Sequence, residues 1–269
     1  MKTTIVTALY DIGREKFDGR KFEEYLAWFE KTLSLNCSMV VFVPASLETF
    51  VRSNRKEKET TIILQELEET PYFHVSERMQ EVISHPGYKQ KMNDSHRIEC
   101  TSNLYNCIQY SKFKWMKEAA EIKQSDYFIW MDAGLSRFFD DLDTSKQYPG
   151  KNAVPVLEAN KDKILVQAFS SNYPDLFYAQ TLTEDYFWDN RSFVMGGMFG
   201  GSKSAIEKID KMTEEVLVRK MLDNDFVNNE QIALGYLIKN QGDLFSIFVN
   251  EGPRKNHRNY ELINQLGAQ

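Results

Sequence analysis

Cysteine is scarce in this chain: Cys37, Cys100 and Cys107 are an odd number with no CxxC pair. That leaves no basis for a disulfide framework or a zinc knuckle, and a reducing compartment fits best. Excess positive charge is also missing, with 33 Lys and Arg against 39 Asp and Glu, a net charge of −6 and a pI near 5.4. This balance argues against a protein that grips long nucleic acid, while a small anionic ligand held locally stays compatible with it. No apolar run approaches the roughly 20 residues needed to span a bilayer. The sequence enters a strand-like Thr3 to Leu9 almost at once, so the expectation is a soluble, cytoplasmic protein with no membrane anchor of its own. A GxxxxGK[ST] phosphate loop is absent, which excludes a P-loop kinase. No Pro/Gly/Ser-rich linker interrupts the chain either. Its longest polar stretch, Arg52 to Thr60, mixes charges and reads as a solvated loop or helix. A single domain over residues 1–269 is expected, and no internal repeat is visible.

What is present is a dense apolar and aromatic fraction: 13% aromatic, with 18 Phe and 13 Tyr. This predicts a large core plus a pocket with polar-tipped walls. Thr3 to Leu9 and Met39 to Val43 read as buried strands, and Phe22, Tyr25, Leu26, Phe29 and Leu33 recur at helical spacing between them. Thr60 to Leu67 fits a third strand or a short helix. A helical pattern from Leu104 to about Ile122 precedes a strand over Tyr127 to Met131. In the second half, Lys163 to Phe169 and Arg191 to Gly201 read as strands. Ser202 and Asn229 stand where helix N-caps are expected, and Leu244 to Val249 closes the sheet. Strand and helix alternate in this way in a mostly parallel α/β sheet flanked by helices, Rossmann-like in outline.

Tyr127-Phe128-Ile129-Trp130-Met131-Asp132-Ala133-Gly134 is the most informative segment. An unbroken apolar run is what a strand buried on both faces looks like. In open α/β sheets, ligands collect at the carboxyl ends of such strands. Asp132 therefore has two readings, a cap on the following turn or a carboxylate that meets a metal or a diphosphate.

Other side chains carry a similar pair of readings. Lys112 is either a solvated helix charge or a cation turned to a diphosphate. The run Gly196-Gly197-Met198-Phe199-Gly200-Gly201 is either a bent core strand or a flat surface that an extended acceptor approaches. Glu230 either complements a helix dipole or takes the proton of an acceptor hydroxyl, with Asp189 the alternative base, and Trp188 offers a face for a sugar to stack on. His257, followed back to Arg254 and Lys255, is either part of a basic tail or a nitrogen ligand that joins Asp132 on a divalent metal.

Thr7 to Arg14, Ile108 to Phe113 and Phe128 to Phe138, the last containing Trp-Met-Asp-Ala-Gly-Leu-Ser-Arg-Phe, resemble the HtrL/YibB family of bacterial proteins associated with surface-glycan loci. The layout is similar to that of GT-A glycosyltransferases. The resemblance implies a GT-A-like fold with a nucleotide-sugar half over about 1–135, an acceptor half over about 136–269, and a smaller β region on the acceptor side. It further implies transfer of a sugar from a nucleotide diphosphate, a UDP-sugar favoured, to a glycan hydroxyl in surface-polysaccharide or lipopolysaccharide synthesis. Thr7, Ala8, Tyr10, Arg14, Lys112, Asp132 and Ala133 would meet the donor, and Trp188, Gly197 and Gly200 the acceptor. Asp132 and His257 would hold Mn²⁺ or Mg²⁺, although Gly134 stands where the DXD pattern has its second acid. A nucleotide- or glycan-binding protein without turnover is the alternative, and a nucleotidyltransferase a third possibility.

Overall fold

A computed structural model describes residues 1–139, 142–250 and 260–267. Its centre is one seven-stranded sheet: β1 (Thr3–Ala8), β2 (Ser38–Val43), β3 (Thr60–Leu64), β4 (Tyr127–Met131), β5 (Ile164–Phe169), β6 (Val194–Ser202) and β7 (Phe245–Asn250). The spatial order is β3-β2-β1-β4-β6-β5-β7. All neighbours pair in parallel except at β6, which runs antiparallel to β4 and β5. The sequence expectation of a mostly parallel, Rossmann-like α/β sheet is met. The ambiguous segment at Thr60 is a strand. The strands of the second half, expected as a smaller β region, form the other end of this same sheet.

Strand alternation sends Val6, Val40, Phe42, Phe128 and Trp130 to one face, and Ile5, Met39, Val41, Ile129 and Met131 to the other. Both faces are covered, which is why these strands are apolar throughout. On the first face lie helices α2 (Asn103–Ile122), α3 (Lys203–Glu215) and α4 (Glu230–Asn240). On the second lie α1 (Phe22–Leu33) and α5 (Glu261–Gly267). Each of α2, α3 and α4 begins at a side-chain cap. Ser102 Oγ accepts from the Tyr105 amide, Ser202 Oγ from that of Ala205, and Asn229 Oδ1 from those of Gln231 and Ile232. A ladder of rings, Tyr10 on Trp115 at 5.5 Å, Trp115 on Trp130 at 6.0 Å and Trp130 on Phe199 at 6.5 Å, joins α2 to the sheet.

The stretch expected to be solvated from Arg52 to Thr60 departs from that reading at Arg55, which is 2% exposed. Its guanidinium donates to the carbonyls of Leu33, Leu35, Cys37 and Glu59 and to Thr60 Oγ1. Arginine's five donors suit a place where several loop carbonyls converge without strand partners. Next to it, Glu59 accepts from Lys123 Nζ at 2.7 Å and from Lys2 Nζ at 3.2 Å. The hydrogen bond from Lys123, with Lys2 adding to it, lowers the Glu59 pKa to about 2 from its ordinary value of 4.5. A depressed carboxyl pKa gives stability that is present above pH 4.5 and is lost as pH falls toward 2. Because Glu59 is about half exposed, solvent screening confines the effect to roughly 0.2–1 kcal/mol. Glu59→Gln is expected to flatten the acid limb of a urea-melt stability profile over this window, more so at low salt. An unchanged limb would remove the pair from the stability balance.

Candidate functional site

The chain leaves β1 toward β2 on one side, while β4 lies on the other, so a crevice opens outside the carboxyl ends of β1 and β4. A change in winding direction is where ligands bind in open α/β sheets. A cleft of about 790 Å³ occupies this place, within the size range of small-molecule sites. The loop after β1, from Ala8 to Arg14, forms one wall; α2 contributes Tyr105, Gln109 and Lys112; and the turn Asp132–Phe138 closes the other side. Since β6 runs against β4, its first residues also reach the cleft, and the Asp132 amide donates to the Gly197 carbonyl at 2.9 Å.

Helix α1 fixes the Asp132–Phe138 turn. Thr32 Oγ1 donates to the Ala133 carbonyl at 2.8 Å and Ser136 Oγ to the Trp28 carbonyl at 2.6 Å. A Cβ on Gly134 would come within 3.2 Å of the Trp28 ring. Close packing of α1 leaves little room for a side chain at Gly134.

At the cleft floor, Lys112 Nζ lies 2.9 Å from Glu230 Oε1, 3.0 Å from Asp132 Oδ1 and 3.2 Å from the Gly196 carbonyl. Asp132 Oδ1 also accepts from Trp130 Nε1 at 2.7 Å. Lys112 is 2% exposed and Glu230 fully buried, but the Asp132 side chain is 37% exposed. Burial opposes the Lys112 charge, yet Asp132 and then Glu230 outweigh it and hold its pKa above the ordinary lysine value. Burial pushes the Glu230 carboxyl up while Lys112 pulls it back. The Lys112 ammonium thus bridges the buried Glu230 carboxyl and the partly exposed Asp132 carboxyl, whose Oδ2 is the oxygen engaged by neither Lys112 nor Trp130.

The sequence-predicted residues divide accordingly. Ala8, Tyr10, Arg14, Lys112, Asp132, Ala133 and Gly197 line the cleft. Thr7 does not: it points into the sheet's packing and is fully buried. Gly200 also lies away from the cleft, because a Cβ there would stand 2.4 Å from the Phe128 carbonyl oxygen on the neighbouring strand. Asp189 is tied to Arg191, at 2.7 Å from Nη2, and Trp188 packs edge-on against Phe226 at 4.3 Å, both outside the cleft lining. Glu230 is correctly placed at a helix start but is sealed from solvent by Lys112 and Gly196, so it has no route to an acceptor hydroxyl. Lys112 is turned inward to two carboxylates where a free cation was expected. His257 falls outside the described residues.

For a divalent ion, Asp132 offers Oδ2, which has no hydrogen-bond partner among the described residues, and no group of three His, Cys, Asp or Glu suited to a metal exists among them either. The described residues fit an ion only as a single carboxylate ligand, with phosphate oxygens and water completing the shell. Sequence reasoning did not single out Arg20, Arg137, Tyr25 and Tyr105, which also line the cleft. Arg137 stands within the Ser136-Arg137-Phe138 stretch that carries the family resemblance, so that stretch held the signal for it.

Among the described residues no helix is long and apolar enough to cross a membrane. Protein HtrL of Escherichia coli (strain K12) is 20% identical to this chain over 258 residues, covering 91% of this chain and 87% of the relative. The family described as "Bacterial protein of unknown function (HtrL_YibB)" matches residues 1–254. With that match spanning nearly its whole length, the chain belongs to the HtrL/YibB family of bacterial proteins.

Proposed function

We propose that this protein is a cytoplasmic glycosyltransferase of GT-A type that moves a sugar from a nucleotide-diphosphate donor, a UDP-sugar in the first instance, to a hydroxyl of a surface glycan. The observation that carries the reading is the cleft at the β1/β4 switch point, where Asp132 faces the cavity beside the buried Lys112 while Arg14 stands on the wall opened by β1. In transfer, the acceptor oxygen forms a bond to the anomeric carbon as the bond from that carbon to the phosphate oxygen breaks, and the hydroxyl proton passes to the departing phosphate oxygen or to water. The electron pair leaves on the diphosphate, so positive charge near the phosphates stabilises departure. Arginine side chains on the cleft wall supply such charge from this chain itself. A bound Mn²⁺ or Mg²⁺, held by Asp132 Oδ2, would add Lewis-acid neutralisation of the phosphates. Lys112 and Glu230 position Asp132: the ammonium fixes Oδ1 and leaves Oδ2 turned to the ligand. Gly197 supports the reading of an acceptor-side wall, since the absence of a side chain lets a ligand approach β6.

The same Lys112 pairing favours a second reading, a nucleotide- or glycan-binding protein without turnover, because it neutralises half of the carboxylate that a metal would use. Release of nucleoside diphosphate from UDP-, GDP- and dTDP-sugars, and of CMP from CMP-sugars, with Mn²⁺ or with EDTA, separates the two. The transferase reading expects release from one donor class, and Asp132→Asn is expected to lower it by about a hundredfold. Asparagine can still accept from Trp130, so the fold should persist. Binding of a nucleotide sugar with no release from any donor would leave the second reading standing.

A further inference from the structure

Three arginines line the cleft, and two of them are held by aromatic rings. The Arg137 guanidinium lies 4.9 Å from the Trp28 ring centre and 5.1 Å from that of Phe138. Arg14 lies 5.0 Å from the Tyr105 ring and 5.7 Å from that of Tyr25, and Arg20 lines the same cleft. Stacking of this kind fixes the plane of a guanidinium and leaves its edge N–H donors available to a ligand.

The counter-charges are few. Asp18 pairs closely with Arg14 and approaches Arg20 only to 3.8 Å. Asp132 is engaged by Lys112, and Arg137 has no carboxylate within ion-pair distance among the described residues. Burial, followed by repulsion from Arg20, lowers the Arg137 pKa below the ordinary arginine value. Guanidinium groups that share one cleft with few counter-charges repel one another, and an anion between them relieves that repulsion. A side chain fixed on a ring face in such a place is therefore poised for an anion.

We infer that Arg137, Arg20 and Arg14 form a phosphoryl-binding subsite at the mouth of the cleft. A phosphoryl group has the oxygens to accept from several guanidinium edges at once, with bidentate geometry that a single lysine lacks. The group comes either from the diphosphate of a donor or from a phosphorylated acceptor sugar. This inference rests on the transferase reading for the identity of the ligand, but not for the existence of the subsite.

Calorimetric titration with inorganic pyrophosphate, with glucose 1-phosphate and with UDP tests it, using the full chain and the variants Arg137→Gln and Arg20→Gln. Arg137 is exposed, so its variant should fold, and melting without ligand verifies this. Pyrophosphate is expected to bind the wild type and to bind Arg137→Gln about tenfold or more weakly, from loss of a charged hydrogen-bond pair. Competition between UDP and pyrophosphate assigns the subsite to the donor. Simultaneous binding, with glucose 1-phosphate competing against pyrophosphate, assigns it to a phosphorylated acceptor. Absence of phosphoryl binding by the wild type, or equal affinity in the wild type and both variants, overturns the inference. Arg137-dependent binding without nucleotide-sugar turnover would defeat the transferase reading and leave the subsite, whereas turnover with unchanged affinity in the variants would do the reverse.

Discussion

Lys112→Met is expected to destabilise the protein by about 3–5 kcal/mol, because removing one partner of a buried ion pair leaves the other charge uncompensated. The side chain is 2% exposed and its ammonium is the hydrogen-bond donor to Glu230 Oε1. Glu230 is fully buried and its other oxygen, Oε2, already lacks a hydrogen-bond partner. Without Lys112, the carboxyl relieves the penalty by taking up a proton, since burial raises its pKa and the lysine no longer opposes that shift. The sign follows from linkage. A carboxyl whose folded pKa is raised contributes stability at low pH that is lost as pH rises through the raised value, so the deficit of the variant should shrink on acidification. Urea melts at several pH values measure this directly. Glu230→Met in the Lys112→Met background should recover much of the loss, because replacing both charges by unbranched apolar groups removes the desolvation cost. A single-variant loss below about 1 kcal/mol, the range of exposed pairs, would show that this lysine is solvated after all.

Gly200→Ala should cost about 3 kcal/mol or more, at the upper end of overpacking effects. Gly200 pairs with Ile129 on β4 and with Leu165 on β5, so β6 is held from both sides at this position. An added Cβ would sit 2.4 Å from the Phe128 carbonyl oxygen, 2.6 Å from Ile129 Cδ1 and 2.8 Å from Ile129 Cα. Backbone cannot withdraw as a flexible side-chain end can, and the strand would have to separate from β4. Because β4 leads directly into Asp132, the displacement should also weaken ligand binding in the cleft. Gly242 provides the control, having open space where a Cβ would be added. Gly242→Ala should melt close to the wild type. Thermal scans should place Gly200→Ala several degrees lower, at roughly 2–4 °C per kcal/mol for a chain of this size. Equal melting of the two variants would show that β6 can shift without cost.

The readings of individual segments fared according to how local their physical cause is. Tyr127 to Met131 was legible as a strand because both faces of β4 are buried, which demands an unbroken apolar run. The caps at Ser202 and Asn229 were legible because an N-cap is satisfied within three residues. The Thr60 segment was ambiguous since β3 is an edge strand with half-buried residues, giving neither a full apolar run nor clean alternation.

The glycine run was read for its openness, yet each glycine answers to a different neighbour. A Cβ would meet Glu230 at Gly196, the β4 backbone at Gly200 and the Lys163 carbonyl at Gly201, and of the four only Gly196 and Gly197 line the cleft. Glycine in a sequence announces that something comes close, without naming it. Asp189 and Trp188 misled for a related reason. An acid beside an aromatic ring looks like sugar-binding chemistry, but Arg191 two residues on satisfies the acid and Phe226 covers the ring.

By itself the sequence determined the α/β class, the order of strands and helices along the chain, and the placement of Asp132 at a strand's carboxyl end. These follow from side-chain periodicity and from capping, which act over a few residues. The tertiary structure decided which charges meet. Lys112 and Glu230 are 118 residues apart, yet their burial together turns an expected phosphate cation and an expected base into a buried pair that positions Asp132. It likewise brought Arg14, Arg20 and Arg137 to one cleft, with the rings of α1 and α2 holding Arg14 and Arg137. Desolvation and Coulomb attraction depend on distance in space and on exclusion of water, and neither is encoded in spacing along the chain.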